Sequence, residues 1–208
     1  MNADISAVLE WWYGEQATTA EELGQKMSRW FREGSKLDPI VRERFGTLTE
    51  RALEGGLTEW EATLEGRVAL IIVLDQFTRH VFRNQPRMYA GDARAQRLSR
   101  ELFDSGEGRT LRLDWRHFSM MPMLHAEDLA LQARSVEETD ALFAAAPEVL
   151  KRFYAMGLEQ SRKYLDVITR FGRFPHRNAI LGRTTTDDEK KFMETFVGPP
   201  KEFAKKEG

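Results

Sequence analysis

The chain has 208 residues, 41% of them hydrophobic and 31% charged, which gives enough apolar surface for one buried core and too much charge for a membrane protein. A formal net charge of -2 argues against wholesale nucleic-acid binding, which goes with a strongly basic domain, so no nucleic acid is expected as a partner. The lack of cysteine excludes disulfides, thiolate metal sites and cysteine nucleophiles, and fits a reducing compartment.

Helix signals recur from end to end, and strand alternation is almost absent. Asp4 is placed to cap a first helix whose apolar positions are Ile5, Val8, Leu9 and Trp12, with Gly14 past its end. Thr19 to Glu22 forms a capping box opening a helix through Leu23, Met27, Trp30 and Phe31 that stops near Gly34. Asp38-Pro39 sets a cap before a proline, and Val41, Phe45, Leu48 and Ala52 then make one stripe closed by Gly55-Gly56. A second capping box, Thr58 to Glu61, precedes the most apolar helix, 65–78, expected at the centre of the fold. Its apolar run 68–74 gives way at once to Asp75, far short of the roughly 18 residues of a membrane-spanning helix. No membrane is therefore expected as a partner.

Asn84-Gln85-Pro86 breaks the chain, a further helix covers 88–103, and Ser105-Gly106-Glu107-Gly108 is a loop. Pro122 is read as the start of a helix carrying Leu124, Leu129 and Leu131, and Ser135 to Glu138 as another capping box. Pro147 separates that short helix from a longer one ending at Phe171-Gly172; Thr186 to Glu189 opens the last. The expected fold is all-α, with antiparallel helix pairs forming a compact bundle or short superhelix. One domain is expected over 1–198, followed by a flexible polar tail over 199–208. Met1-Asn2-Ala3-Asp4 has no basic segment leading into an apolar one, and the expected location is cytoplasmic.

Charge is unevenly distributed. Residues 76–91 hold Arg79, Arg83 and Arg87 and no acid, and 167–186 hold Arg170, Arg173, Arg177 and Arg183 and no acid. Guanidinium suits forked recognition of carboxylate or phosphate, although each arginine can equally meet a carboxylate brought by folding. Three segments concentrate the chemistry. Asp75 and Arg79 share a helix face, as an ion pair or with Asp75 aiming Arg79 at a ligand. His125 and Asp128 are three apart, a spacing that lets a carboxylate orient an imidazole for proton transfer. A metal needs more ligands than this local pair, which only Asp75, Glu127 or a distant histidine such as His176 could add, and no metal is expected. Between Gly172 and Arg183, a loop stiffened by Pro175 presents Arg173, His176, Arg177 and Asn178.

Leu74-Asp75-Gln76-Phe77 with Arg79, then Pro122 and His125-Ala126-Glu127-Asp128, resemble motifs of the bacterial family called domain of unknown function 924. The strongest match is Arg170-Phe171-Gly172-Arg173-Phe174-Pro175-His176-Arg177-Asn178 with Leu181-Gly182-Arg183. The resemblance runs from Trp11-Trp12-Tyr13-Gly14 through Trp30-Phe31 and Trp60 to Phe192, nearly the whole chain. It implies an all-helical fold similar to tetratricopeptide repeats and carries no established activity. Thr78 and His80 stand where the family usually has proline and asparagine, and Tyr164 stands where a histidine commonly precedes the arginine-rich motif.

Two functions are open on these residues. In the first, Asp75, Arg79, Arg173, Arg177, Asn178 and Arg183 hold a small phosphate- or carboxylate-bearing molecule while His125, Asp128 and His176 move a proton. In the second, the protein is a non-catalytic module whose groove accepts a protein or peptide. Neither a phosphate-binding loop nor a dinucleotide fingerprint occurs, and no cofactor is expected. The oligomeric state is not encoded in any pattern found.

Overall fold

The segment with the fewest polar residues becomes the axis of the molecule. In the computed structural model, which describes residues 2–196, that axis is α4 (Leu64–Ile71), a π-helical turn (Ile72–Phe77) and α5 (Thr78–Val81) in one continuous run. Every side chain from Val68 to Val81 is buried, the all-round burial its composition predicts. Around it lie α1 (Ala3–Trp12), α3 (Gly34–Leu53), α6 (Asp92–Asp104) and α7 (Leu113–Leu124). Outside these, α8 (Leu129–Ala145) packs on α7, α9 (Glu148–Phe171) on α8, and α2 (Ala20–Met27) on α9. A 3-10 turn (Pro175–Arg177) and α10 (Asp187–Thr195) complete the chain, and no strand occurs among the described residues.

The core between α1, α3, the π turn and α7 is aromatic. Trp30 and Trp12 meet Phe118 edge-on at 4.7 and 5.3 Å, and Phe45 stacks on Phe77 at 4.7 Å. Such pairs add about 0.5–1.5 kcal/mol each beyond the area they bury. A separate small cluster of Tyr164, Val167, Ile168 and Phe174 holds the C-terminal turn and α10 against α9.

Several helix boundaries differ from their sequence signals. The cap of α1 is Asn2, whose side chain accepts from the Asp4 N–H at 2.8 Å. Asp38-Pro39 lies inside α3 instead of starting it, because Asp38 is drawn inward to His80, at 2.8 Å, and Arg83. Thr58 to Glu61 makes a 3-10 turn pinned by buried Trp60, and α4 is capped by Thr63, which accepts from the Gly66 N–H. Pro122 sits near the end of α7, and a new helix begins only after Asp128. Ser135 and Glu138 lie within α8, their polar groups turned to the Gln132 carbonyl and to arginines. The capping boxes at Thr19 and Thr186 form as expected. The expected tail over 199–208 lies outside the described residues.

Two glycines make opposite demands. Gly91, at the entry to α6, lies so close to the central run that a Cβ there would sit 2.3 Å from the Leu74 carbonyl oxygen. Gly172 ends α9 with φ +66° and has open space around it. Gly91→Ala must push α6 off the axis and is expected to lower stability by about 3 kcal/mol or more, as overpacking does. Gly172→Ala is expected to cost about 1 kcal/mol for the left-handed backbone alone. Urea unfolding of the two variants checks the contrast, and equal losses would contradict the close approach.

His117 lies on α7 beside Phe118 and Tyr154, and burial pushes its pKa down to about 4. The folded chain therefore holds it neutral while the unfolded chain protonates it below its ordinary value of 6.5. Its contribution is intact above pH 6.5 and is lost as pH falls toward 4. At about 1.4 kcal/mol per pH unit, the loss from this group between pH 7 and 5 is about 2 kcal/mol. Unfolding curves at both pH values should show His117→Gln losing less than the parent by that amount.

Candidate functional site

The π turn is what builds the site. It carries two consecutive buried polar residues, Asp75 and Gln76, and Gln76 Nε2 donates to Asp75 Oδ2 at 2.6 Å. Asp75 is fully buried. Its Oδ1 accepts from His125 Nδ1 at 2.8 Å and lies 3.2 Å from Arg79 Nη1, which also donates to the Asp75 backbone carbonyl. Burial pushes the Asp75 carboxyl up, but the Arg79 guanidinium, His125 and the Gln76 amide outweigh it and hold the group well below the usual carboxylate range. Arg79 continues to Asp92 at the start of α6, with Nη1 3.0 Å from Oδ1 and Nη2 3.3 Å from Oδ2.

His125 ends α7 with its side chain 15% exposed. Because ionised Asp75 only accepts, the hydrogen bond fixes the proton of the neutral imidazole on Nδ1 and leaves the Nε2 lone pair directed away from it. Among the described residues nothing hydrogen-bonds that nitrogen. This is an acceptor oriented by a buried carboxylate, able to take a proton from a group that approaches from outside.

Gly172 reverses the chain and Pro175 starts the 3-10 turn, which delivers Arg177 into the cluster. Arg177 is buried between the rings of Tyr89 and Phe174, at 4.7 and 4.6 Å. Its Nη2 donates to the His125 carbonyl at 2.8 Å, its Nη1 stays 3.7 Å from Asp92 Oδ2, and its Nε has no partner. Asp92 Oδ1 likewise accepts no hydrogen bond, though Arg79 is near it. Burial lowers the Arg177 pKa against the pull of Asp92. His176, packed near Phe174 and Phe196, is pushed down by burial and by Arg177 to about 3, so it stays neutral, and its Nδ1 is also without a partner. Burial raises the Tyr164 phenol to about 12, so it stays protonated against Phe174.

The three segments do converge, but not all of their residues do. Asp75, Arg79, His125 and Arg177 share one network, and His176 adjoins it. Asp128 does not orient His125; it caps α8 by accepting the Leu131 N–H at 2.8 Å, and Asp75 takes the orienting role. Arg173 forks Glu189 at 2.7 and 3.0 Å, and Asn178 Nδ2 donates to the same carboxylate at 3.2 Å. Arg183 forks Glu127 at 2.6 and 2.9 Å, and Glu127 also accepts the Phe174 N–H. Arg83 and Arg87 meet Asp38 and Glu50. Acids distant in sequence thus meet all the arginines of the two acid-free stretches except Arg170, which lies over the Phe171 and Phe192 rings.

No sequence motif pointed to Asp92 or Tyr89. Asp92 reads as an ordinary first-turn acid, and Glu127 was legible only as a neighbour of His125 within the motif. Among the described residues no group of three or more His, Asp or Glu side chains is placed to hold a metal ion.

The family model described as bacterial protein of unknown function, DUF924, matches residues 8–196. The solved structure of a protein of unknown function, ATU0120, from Agrobacterium tumefaciens is similar with a TM-score of 0.75 at 30% identity, over 92% of this chain and 97% of that one. No curated protein matches. A match that spans all the motifs converging on Asp75, together with a shared fold over nearly both chains, shows that this chain belongs to the DUF924 family of bacterial proteins.

Proposed function

We propose that the Asp75–His125 pair, with Arg177 beside it, is a proton-transfer centre for a small molecule carrying a carboxylate or phosphate. The observation that carries the reading is the fully buried, ionised Asp75, which orients a histidine whose second nitrogen has no partner among the described residues. A carboxylate in the core is costly, and a fold that needed only packing would have an apolar residue there. Two buried nitrogens near it, Arg177 Nε and His176 Nδ1, find no hydrogen bond among the described residues and suit a polar guest.

The pairing of the other arginines narrows the binding role. Arg173, Asn178 and Arg183 are committed to Glu189 and Glu127 and fasten the C-terminal turn, which leaves Arg177 to meet the anionic group and Arg79 to hold Asp75. The alternative, a tetratricopeptide-like docking module, needs a continuous exposed apolar face. The exposed large apolar side chains among the described residues are Ile40, Leu129, Val149 and Met156, spread over three helices.

A thermal-shift panel of small carboxylates and phosphate monoesters should contain a compound that raises the melting temperature of the parent. Arg177→Met is expected to weaken its binding about ten- to hundredfold, the equivalent of about 1.5–3 kcal/mol for a charge-assisted contact, with Arg177→Lys recovering part. His125→Asn should retain binding but lose the proton uptake or release measured by calorimetry in buffers of different ionisation enthalpy. If no compound of either class stabilises the parent, or Arg177→Met only lowers the melting temperature, Asp75, His125 and Arg177 are scaffolding and the reading fails.

A further inference from the structure

Outside the two acid-free stretches, one buried arginine is left poorly compensated. Arg116, in the first turns of α7, is 5% exposed, and among the described residues neither its Nε nor its Nη2 has a hydrogen-bond acceptor. The nearest carboxylate oxygen, Glu138 Oε2 on α8, is 3.8 Å from Nη2, beyond hydrogen-bonding reach. Glu138 is itself fully buried and already engaged. Arg109 forks it with Nε at 3.0 Å and Nη2 at 2.8 Å, and Arg134 Nη2 adds a third contact at 3.1 Å.

Three guanidiniums therefore surround one buried carboxylate. Arg134 has further partners in Glu137 at 3.2 Å and Asp104 at 3.8 Å, both exposed to solvent, whereas Arg109 and Arg116 pair with Glu138 alone. Burial lowers the Arg116 pKa, Glu138 opposes the shift and Arg109 adds to it. A buried guanidinium with two idle donor nitrogens calls for acceptors from outside the chain. Nε and one terminal nitrogen form the edge that a two-oxygen anion grips in a fork.

We infer that Arg109, Arg116 and Arg134 form an anion site at the junction of α7 and α8, suited to phosphate or a phosphate monoester. Arg109, whose side chain is 51% exposed, is the way in: it swings off Glu138 to meet the anion while Arg116 supplies the fixed edge. The site is distinct from the His125 centre, lying nine residues earlier on the same helix, about 13 Å along the axis at 1.5 Å per residue. It does not depend on the function proposed above.

The test is a titration of inorganic phosphate into the full chain against chloride of matched ionic strength, followed by thermal shift and by phosphorus NMR line broadening. The expected result is a saturable response in the parent, weakened at least tenfold by Arg109→Gln and by Arg116→Met, and unchanged by Arg87→Gln, which removes an exposed arginine paired with Glu50. If Arg116→Met fails to fold, the exposed Arg109→Gln decides the matter alone. A response no greater than that to chloride, or one that survives Arg109→Gln and disappears with Arg177→Met, overturns the site.

Discussion

An ionised carboxylate buried in a helical core is the constraint on which this molecule is organised. Asp75 cannot stay charged there without close cationic and hydrogen-bonding partners, since an unpaired buried charge costs several kcal/mol. Its partners come from different parts of the chain: Gln76 and Arg79 from the central run, His125 from the end of α7. Arg79 then reaches Asp92 on α6, and Arg177 reaches the His125 carbonyl from the C-terminal turn. One acid thereby fixes the relative positions of four segments that apolar contacts alone would leave free to slide.

Two local irregularities make this network possible. The π turn at Ile72–Phe77 carries Asp75 and Gln76, both buried and hydrogen-bonded to each other, in the middle of the central run. Gly91 lets α6 approach the Leu74 carbonyl, and that approach brings Asp92 within reach of Arg79. Both features lie within a few residues of Asp75 or Asp92, so the backbone departs from regularity where the polar network is built.

The distribution of paired charge separates fastening from recognition. Glu189 and Glu127 each take a forked arginine plus a backbone N–H, a geometry that satisfies the carboxylate and leaves little for a ligand. At Arg177 and at Arg116 the guanidinium is buried with idle N–H groups, and there the protein does not complete its own hydrogen bonding. Density of arginine along the sequence is thus a poorer guide to an anion site than the number of N–H groups that remain unmatched after folding.

Composition, helical periodicity and the motifs around Asp75, His125 and Arg177 determined the all-helical class and the central apolar helix, and those motifs held all four residues of the network, Asp75, Arg79, His125 and Arg177. The boundaries at Pro39, Pro122 and Ser135 were misread because a cap signal is a local pattern of a few side chains, which a tertiary contact can redirect. Asp38 goes to Arg83 and Glu138 to Arg109 instead of capping. Only the tertiary structure decided who orients His125, since Asp75 lies fifty residues away while Asp128 is three residues away and turned to α8. The reason is physical. Helix formation follows from interactions over three or four residues, which sequence spacing records, whereas the pairing of buried charges is settled by which helices pack together.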